Sequence, residues 1–163
     1  MSSVGNSIPS ARVLRPMRFE PMQATNLGEV LAIENAVYPF PWTKGNFLDS
    51  LNHGYETWIL RDASRSLLGY FLMVPMVDEA HLLNITVHAD LHGHGIGRTM
   101  LDRVVKLAQG KGLASVLLEV RPSNQRALAI YIRYGFHRIG VRKNYYPAAR
   151  NTREDAIVMR LPI

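Results

Sequence analysis

The sequence contains no cysteine. That excludes a disulfide-stapled scaffold, a thiolate zinc site and catalysis through a cysteine acyl-enzyme. Long apolar runs are also missing, and none approaches the roughly 20 residues that a membrane-spanning helix needs. The opening Met-Ser-Ser-Val-Gly-Asn-Ser-Ile-Pro-Ser lacks the apolar segment of a secretory signal. Residues 1–12 therefore read as a polar, frayed leader, and a cytoplasmic, membrane-free protein is the expectation. Acids are scarce: 13 Asp and Glu stand against 19 Lys and Arg, a formal charge of +6. Such a surplus suits an anionic ligand or work near ribonucleoprotein, and equally a basic surface that merely faces water. What remains is ordinary. With 163 residues, 47% of them hydrophobic, the chain can bury one substantial core. No repeat, low-complexity tract or internal linker divides it, so residues 13–163 are expected to form a single domain.

Apolar periodicity and turn residues give the order of elements. Val13–Glu20 reads as an edge strand, because Pro16 interrupts it. Ala24–Val37 carries Leu27, Val30 and Leu31 at helical spacing. Tyr38-Pro39-Phe40-Pro41-Trp42 must leave that helix, since residues before proline avoid the α region. Its aromatics could line a binding mouth or simply pack under the loop. Thr43 is placed to cap a short helix through Leu51. Strands are expected at Thr57–Leu60, Leu67–Val74, His81–Val87 and Val116–Val120, the last covered on both faces and paired in parallel. A helix capped by Ser123 or Asn124 runs to Tyr134 and stops at Gly135, before two strands, Arg138–Lys143 and Ala156–Leu161, around a polar loop. The fold class is α/β (α+β): a mixed central sheet flanked by helices.

The chain is organised around the turn between the His81–Val87 strand and an amphipathic helix with Leu101, Val104, Val105 and Ala108 on its apolar stripe. Gly93, Gly95 and Gly97 alternate in that turn. Alternate glycines let the backbone approach a ligand and point N–H groups into one concavity. A helix beginning directly afterwards adds the positive end of its dipole, so the turn is suited to a phosphate or pyrophosphate. A P-loop would end Gly-Lys-Ser/Thr, whereas this turn ends Gly97-Arg98-Thr99. A dinucleotide fingerprint, G-x-G-x-x-G set directly after its strand, fits weakly, with Glu119 as the ribose acid. The third reading is coenzyme A: His92-Gly93-His94-Gly95-Ile96-Gly97 resembles the Q/R-x-x-G-x-G/A pyrophosphate loop of the GNAT superfamily of N-acetyltransferases. A plain strand-to-helix turn would not need three glycines.

Two residues could carry chemistry. Glu119 lies in the apolar strand Val116–Val120, and a desolvated carboxylate is readied to accept a proton, as a general base does. Pairing with Arg121 or Arg126 is the equal alternative. Tyr131 shares a helix face with Ala127 and Tyr134, a pattern that more often means packing. His88, His92 and His94 have only Asp90 near them in sequence to complete a ligand set, so no metal is expected. In the loop before the last strand, Glu154 and Asp155 could each meet an ammonium group of a bound peptide, or lie in a solvated loop. Nothing resembles a known RNA- or DNA-binding motif, so no specific nucleic-acid partner is expected.

In order, Phe40-Pro41-Trp42, Asn84-Ile85-Thr86-Val87, the glycine turn, Leu118-Glu119-Val120-Arg121-Pro122-Ser123-Asn124, Ala129-Ile130-Tyr131, Tyr134-Gly135-Phe136, Arg142-Lys143-Asn144-Tyr145-Tyr146-Pro147 and Arg153-Glu154-Asp155-Ala156 resemble the bacterial RimI family. These are ribosomal-protein-alanine N-acetyltransferases of the GNAT superfamily, and the likeness runs from about residue 13 to the C-terminus. The resemblance implies Glu119 as general base and Tyr131 as general acid. It implies contacts to acetyl-CoA from Ile85, Thr86 and Val87, from Gly93, His94, Gly95, Ile96, Gly97 and Arg98, and from Asn124. His92 stands where the family has Gln or Arg; a cradle built from backbone N–H groups should bind all the same. The reaction implied is direct transfer in a ternary complex to the N-terminal alanine of a small-subunit ribosomal protein; the sequence leaves the oligomeric state open, with a monomer favoured. Another protein N-terminus or a small amine as acceptor, or a coenzyme-binding or RNA-associated module without chemistry, are the alternatives.

Overall fold

The computed structural model describes residues 13–163, so the expected leader at 1–12 lies outside the described residues. The strands are β1 (Arg18–Pro21), β2 (Glu56–Arg61), β3 (Leu67–Pro75), β4 (Glu79–Val87), β5 (Ser115–Val120), β6 (His137–Pro147) and β7 (Arg153–Pro162). The helices are α1 (Leu27–Val37), α2 (Lys44–Asn52), α3 (Ile96–Gly110) and α4 (Gln125–Tyr134). The seven strands lie in the order β1-β2-β3-β4-β5-β7-β6. β4 and β5 pair in parallel, while β1–β2, β5–β7 and β6–β7 are antiparallel, which makes the sheet mixed. Contacts group the chain into two compact units, one reaching Phe71 and including Ile85–Gly97, the other Leu72–Asn84 with Arg98–Ile163.

In the first unit, β1 is an edge strand as its proline suggested, but it begins at Arg18 rather than Val13. Pro16 has no N–H for a ladder, and the chain before it is fastened otherwise: Leu14 N–H donates to Asp62 Oδ2 at 3.0 Å. Ala24–Asn26 is a single 3-10 turn ahead of α1 instead of its first turn. α2 is capped as expected: Thr43 Oγ1 accepts from Asn46 N, and Asn46 Oδ1 accepts from Thr43 N. The core here is aromatic, with Phe47 edge-on to Tyr70 at 5.9 Å and both fully buried. Glu34, 1% exposed, lies among them and accepts from Tyr70 Oη at 2.7 Å and from Trp42 N at 2.9 Å. A buried carboxylate is tolerable only with such partners.

In the second unit, α3 turns Met100, Leu101, Val104 and Ala108 inward; Val105 is only half-buried. β5 leaves Leu117 and Glu119 less covered, and the strand covered on both faces proves to be β3, whose Leu67–Phe71 belong to the first unit and which is buried throughout Leu67–Met73. Asn124, not Ser123, caps α4 by accepting from Ala127 N at 3.2 Å. Gly135 closes α4 at φ 123°, a conformation side chains rarely adopt. The expected polar loop before the last strand is much shorter than its composition suggested. β6 continues through Asn144-Tyr145-Tyr146-Pro147, with a bulge between Arg142 and Tyr146 that sets three residues against Asp155 alone. Asn144 takes φ 51° there and donates its N–H to Asp155 Oδ1 at 2.9 Å.

Candidate active site

Glu119 occupies the fifth position of β5, in register with Val158 of β7. Its side chain is 5% exposed, so the sequence-based picture of a desolvated carboxylate holds, but the expected arginine partners do not. Arg121 bonds Glu154 at 3.2 Å and Pro147 O at 2.8 Å instead. Glu119 is flanked by His81, whose Nε2 stands 2.5 Å from Oε2, and by Arg142, whose Nε stands 3.1 Å from Oε1. The Arg142 contact is an ion pair whose alignment makes no hydrogen bond, so Oε1 is buried without one. One carboxylate oxygen is thus held firmly, and the other has acceptor capacity left.

The β6 bulge arranges the ground beside this carboxylate. Arg153 ties down the carbonyls of Asn144 and Tyr145 at 3.1 and 2.9 Å. Tyr145 and Tyr146 meet edge-on at 4.9 Å, and the Arg121 guanidinium stacks over Tyr146 at 4.4 Å. Burial first, then the charge of Glu119, raises both phenols above their ordinary range, so both stay protonated. The two acids proposed as ammonium partners are already engaged. Glu154 accepts from Ser123 N and Oγ and from Arg121, and Asp155 from Asn144 N with Lys143 Nζ 3.7 Å away. Burial works to raise the Glu154 carboxyl, but the Ser123 donors and Arg121 outweigh it and hold it below the usual range.

Tyr131 is 9% exposed and packs edge-on against Phe136 at 5.6 Å. Ala127 and Tyr134 are only half-buried, and Tyr134 turns aside to donate to Asp102 Oδ1 at 2.6 Å. Tyr131 is therefore the one residue of its proposed stripe that is buried. Asn124 spends its side-chain oxygen on the α4 cap, which leaves its amide N–H groups for any ligand. Arg98 is exposed in the first turn of α3.

The remaining expected cofactor contacts lie in the first unit. β4 alternates strictly in burial, with Thr86 inside and Ile85 and Val87 partly open. Thr86 Oγ1 is 2.8 Å from Tyr38 Oη, which also donates to Ile85 O at 3.2 Å. The Thr86 hydroxyl is thus engaged within the protein. The loop aromatics divide: Tyr38 bonds β4, Trp42 packs on Phe47 at 5.1 Å, and Phe40 is exposed. In the glycine turn, Gly93 (φ 84°) and Gly95 (φ 80°) hold left-handed conformations that a side chain would strain. Gly97 does not; a Cβ there would meet only Val87 Cγ2, at an ordinary 3.8 Å. His92 Nε2 lies 2.9 Å from Val87 O, His94 Nδ1 lies 3.0 Å from His92 O, and His88 Nδ1 accepts from Asp90 N, so one nitrogen of each ring helps to fix the turn. The turn leads straight into the 15-residue α3, and the first N–H groups and the dipole of a helix favour negative charge at its N-terminus.

The chain belongs to the acetyltransferase (GNAT) family, whose family model matches residues 27–136. It is an acetyltransferase with acetyl-CoA as donor. Among its relatives, the [ribosomal protein bS18]-alanine N-acetyltransferase of Escherichia coli K12 is 34% identical over 142 residues, 87% of this chain and 95% of that protein. The corresponding protein of Haemophilus influenzae is 30% identical over 138 residues, 85% of this chain and 93% of its own. The crystal structure of the ribosomal-protein-S18-alanine N-acetyltransferase from Escherichia coli superposes with a TM-score of 0.80 at 33% identity, covering 91% of this chain and 94% of that one.

Sequence reasoning did not find His81 or Arg142. Parity along β4 placed His81 on the face of Ile85 and Val87. Its partner depends on the β4–β5 register, which pairs His81 with Leu117 and so sets Glu119 two residues further along on the same face.

Proposed function

We propose that this chain transfers the acetyl group of acetyl-CoA to the α-amine of the N-terminal alanine of ribosomal protein bS18, in the cytoplasm where ribosomes are assembled. The observation that carries the acceptor is the likeness to the Escherichia coli enzyme across 95% of that protein's length. The domain is residues 13–163. In this reading Glu119 is the general base and Tyr131 the general acid. An α-amine has a pKa of about 8 against about 10.4 for a lysine, so near pH 8 about half of it is already neutral, and a carboxylate suffices to take the one proton released as it attacks. The amine forms its bond to the thioester carbonyl carbon while Glu119, through the oxygen that lacks a hydrogen bond, takes the amine proton. Tyr131 supplies the proton that the departing thiolate needs. Ile85, Thr86 and Val87 offer backbone groups to the acyl arm. Gly93, His94, Gly95, Ile96, Gly97 and Arg98 receive the pyrophosphate, and Asn124 adds a contact. Gly97 supports the reading, because neither its φ nor its neighbours within the protein call for a glycine.

The test is to incubate the protein with acetyl-CoA and a peptide bearing the bS18 N-terminus and to weigh the products. One acetyl on the α-amine is expected. Acetyl-CoA binding with transfer only to another N-terminus or to a polyamine would move the acceptor elsewhere. Glu119→Gln should slow transfer on the order of 100-fold or more, as loss of a general base does. Unchanged turnover of that variant across pH would end the base assignment, and full turnover of Tyr131→Phe the acid one.

A further inference from the structure

We propose that His81 is a positioning residue for the transfer reaction. It orients the Glu119 carboxylate and carries away the proton that carboxylate collects. The inference rests on the reading of Glu119 as the base.

The geometry is specific. His81 and Glu119 come from adjacent parallel strands, two residues out of register, on one face of the sheet. Nε2 and Oε2 are 2.5 Å apart, a contact closer than an ordinary N–H···O bond, in which either atom can hold the shared proton. Exposure falls along the pair: 19% for the imidazole, 5% for the carboxylate. The ring therefore stands part-way between the buried carboxylate and water. With Oε2 tied up, Oε1 is the carboxylate oxygen left without a hydrogen bond.

A base sealed at 5% exposure must lose its proton before the next cycle. The step balances simply. As the acceptor's N–C bond forms, its N–H bond breaks and the proton goes to the Glu119 carboxylate. Rotation of the carboxyl group brings that proton to Oε2, from which it passes to Nε2 of an imidazole carrying its hydrogen on Nδ1; Nδ1 gives that hydrogen to water, and exchange of the ring protons with water re-forms the Nδ1–H tautomer, so carboxylate and imidazole are both restored. Histidine is the one side chain that ordinarily changes charge between pH 5 and 8. The charged groups around the pair are otherwise committed. On β4, Glu79 is bound to Arg160 of β7 at 2.5 Å and to Ser115 of β5 at 2.9 Å. On β6, Arg142 faces Glu119 itself, and Tyr145 and Tyr146 are held protonated.

The experiment is a double-mutant cycle with full pH profiles: wild type, His81→Leu, Glu119→Gln and the double variant, with His81→Gln as a non-titrating hydrogen-bonding control. Acetyl-CoA and the bS18 N-terminal peptide are the substrates. His81→Leu should lower kcat on the order of 10- to 100-fold with KM for acetyl-CoA unchanged, and move the acidic limb of the kcat profile. In the Glu119→Gln background it should cost nothing more, because it acts through that carboxylate. His81→Gln should regain part of kcat yet keep the altered limb; if the leucine variant does not fold, this variant alone carries the pH test. Wild-type kcat and profile in the folded His81 variants would overturn the proposal, as would an equal loss on the Glu119→Gln background. A fully active Glu119→Gln would instead remove the base reading beneath it.

Discussion

Replacing Gly95 and Gly97 in turn separates what the fold requires of the glycine turn from what the ligand requires. Gly95 sits at φ 80° with nothing within 4 Å of a would-be Cβ. Alanine there meets no atom, and its penalty is conformational alone, about 1–2 kcal/mol for a left-handed L-residue. That cost has two places to appear. If the loop keeps its shape, the folded state bears it, and the urea midpoint falls by roughly 0.5–1 M for an m-value of about 2 kcal/mol/M. If the loop relaxes, stability is kept and acetyl-CoA binding bears it, about a 5- to 30-fold loss of affinity at about 1.4 kcal/mol per tenfold. The two losses, read by urea unfolding and by calorimetry with acetyl-CoA, should together reach about 1–2 kcal/mol. Gly97 differs: it has ordinary backbone angles, and its Cβ would have 3.8 Å of room at Val87. Gly97→Ala should leave the midpoint unchanged or raise it slightly, since alanine favours a first helical turn. It should nonetheless weaken acetyl-CoA binding if, as proposed, the coenzyme is the partner that needs the space. A Gly95→Ala protein with wild-type stability and wild-type affinity would refute the reasoning, and so would a Gly97→Ala protein that binds normally.

Thr43→Ala removes both halves of the reciprocal Thr43–Asn46 cap and should cost about 1 kcal/mol of unfolding free energy, measured in urea, with acetyl-CoA affinity unaffected. Glu154 has its carboxyl held below the usual range, so its contribution is fully present above the unfolded value of about 4.3 and disappears as pH falls through the lower folded one. Thermal unfolding followed from pH 6 down to pH 3 should therefore show a shallower acid loss for Glu154→Gln than for wild type; parallel curves would contradict the assigned bonding.

The sequence alone determined every element that is punctuated locally. The Thr43 cap, the Gly135 stop, the Pro16 edge and the alternate glycines before α3 each follow from backbone chemistry that a residue imposes on its immediate neighbours. The same local signals placed Glu119 in an apolar strand and Tyr131 on a helix face. Partnership could not be read this way. His81 and Glu119 are 38 residues apart, and only the parallel register of β4 on β5 brings Nε2 to Oε2. Arg142 reaches the same carboxylate because β7 lies between β5 and β6, an order that no local pattern encodes. The stretch after Arg142 looked like a loop because its residues are polar. It is strand because Asp155 and Arg153, across the ladder, satisfy the backbone of a bulge. Caps, turns and breaks act over three or four residues and are written in the chain. Charge pairing across strands depends on which backbone lies opposite, and only the folded sheet decides that.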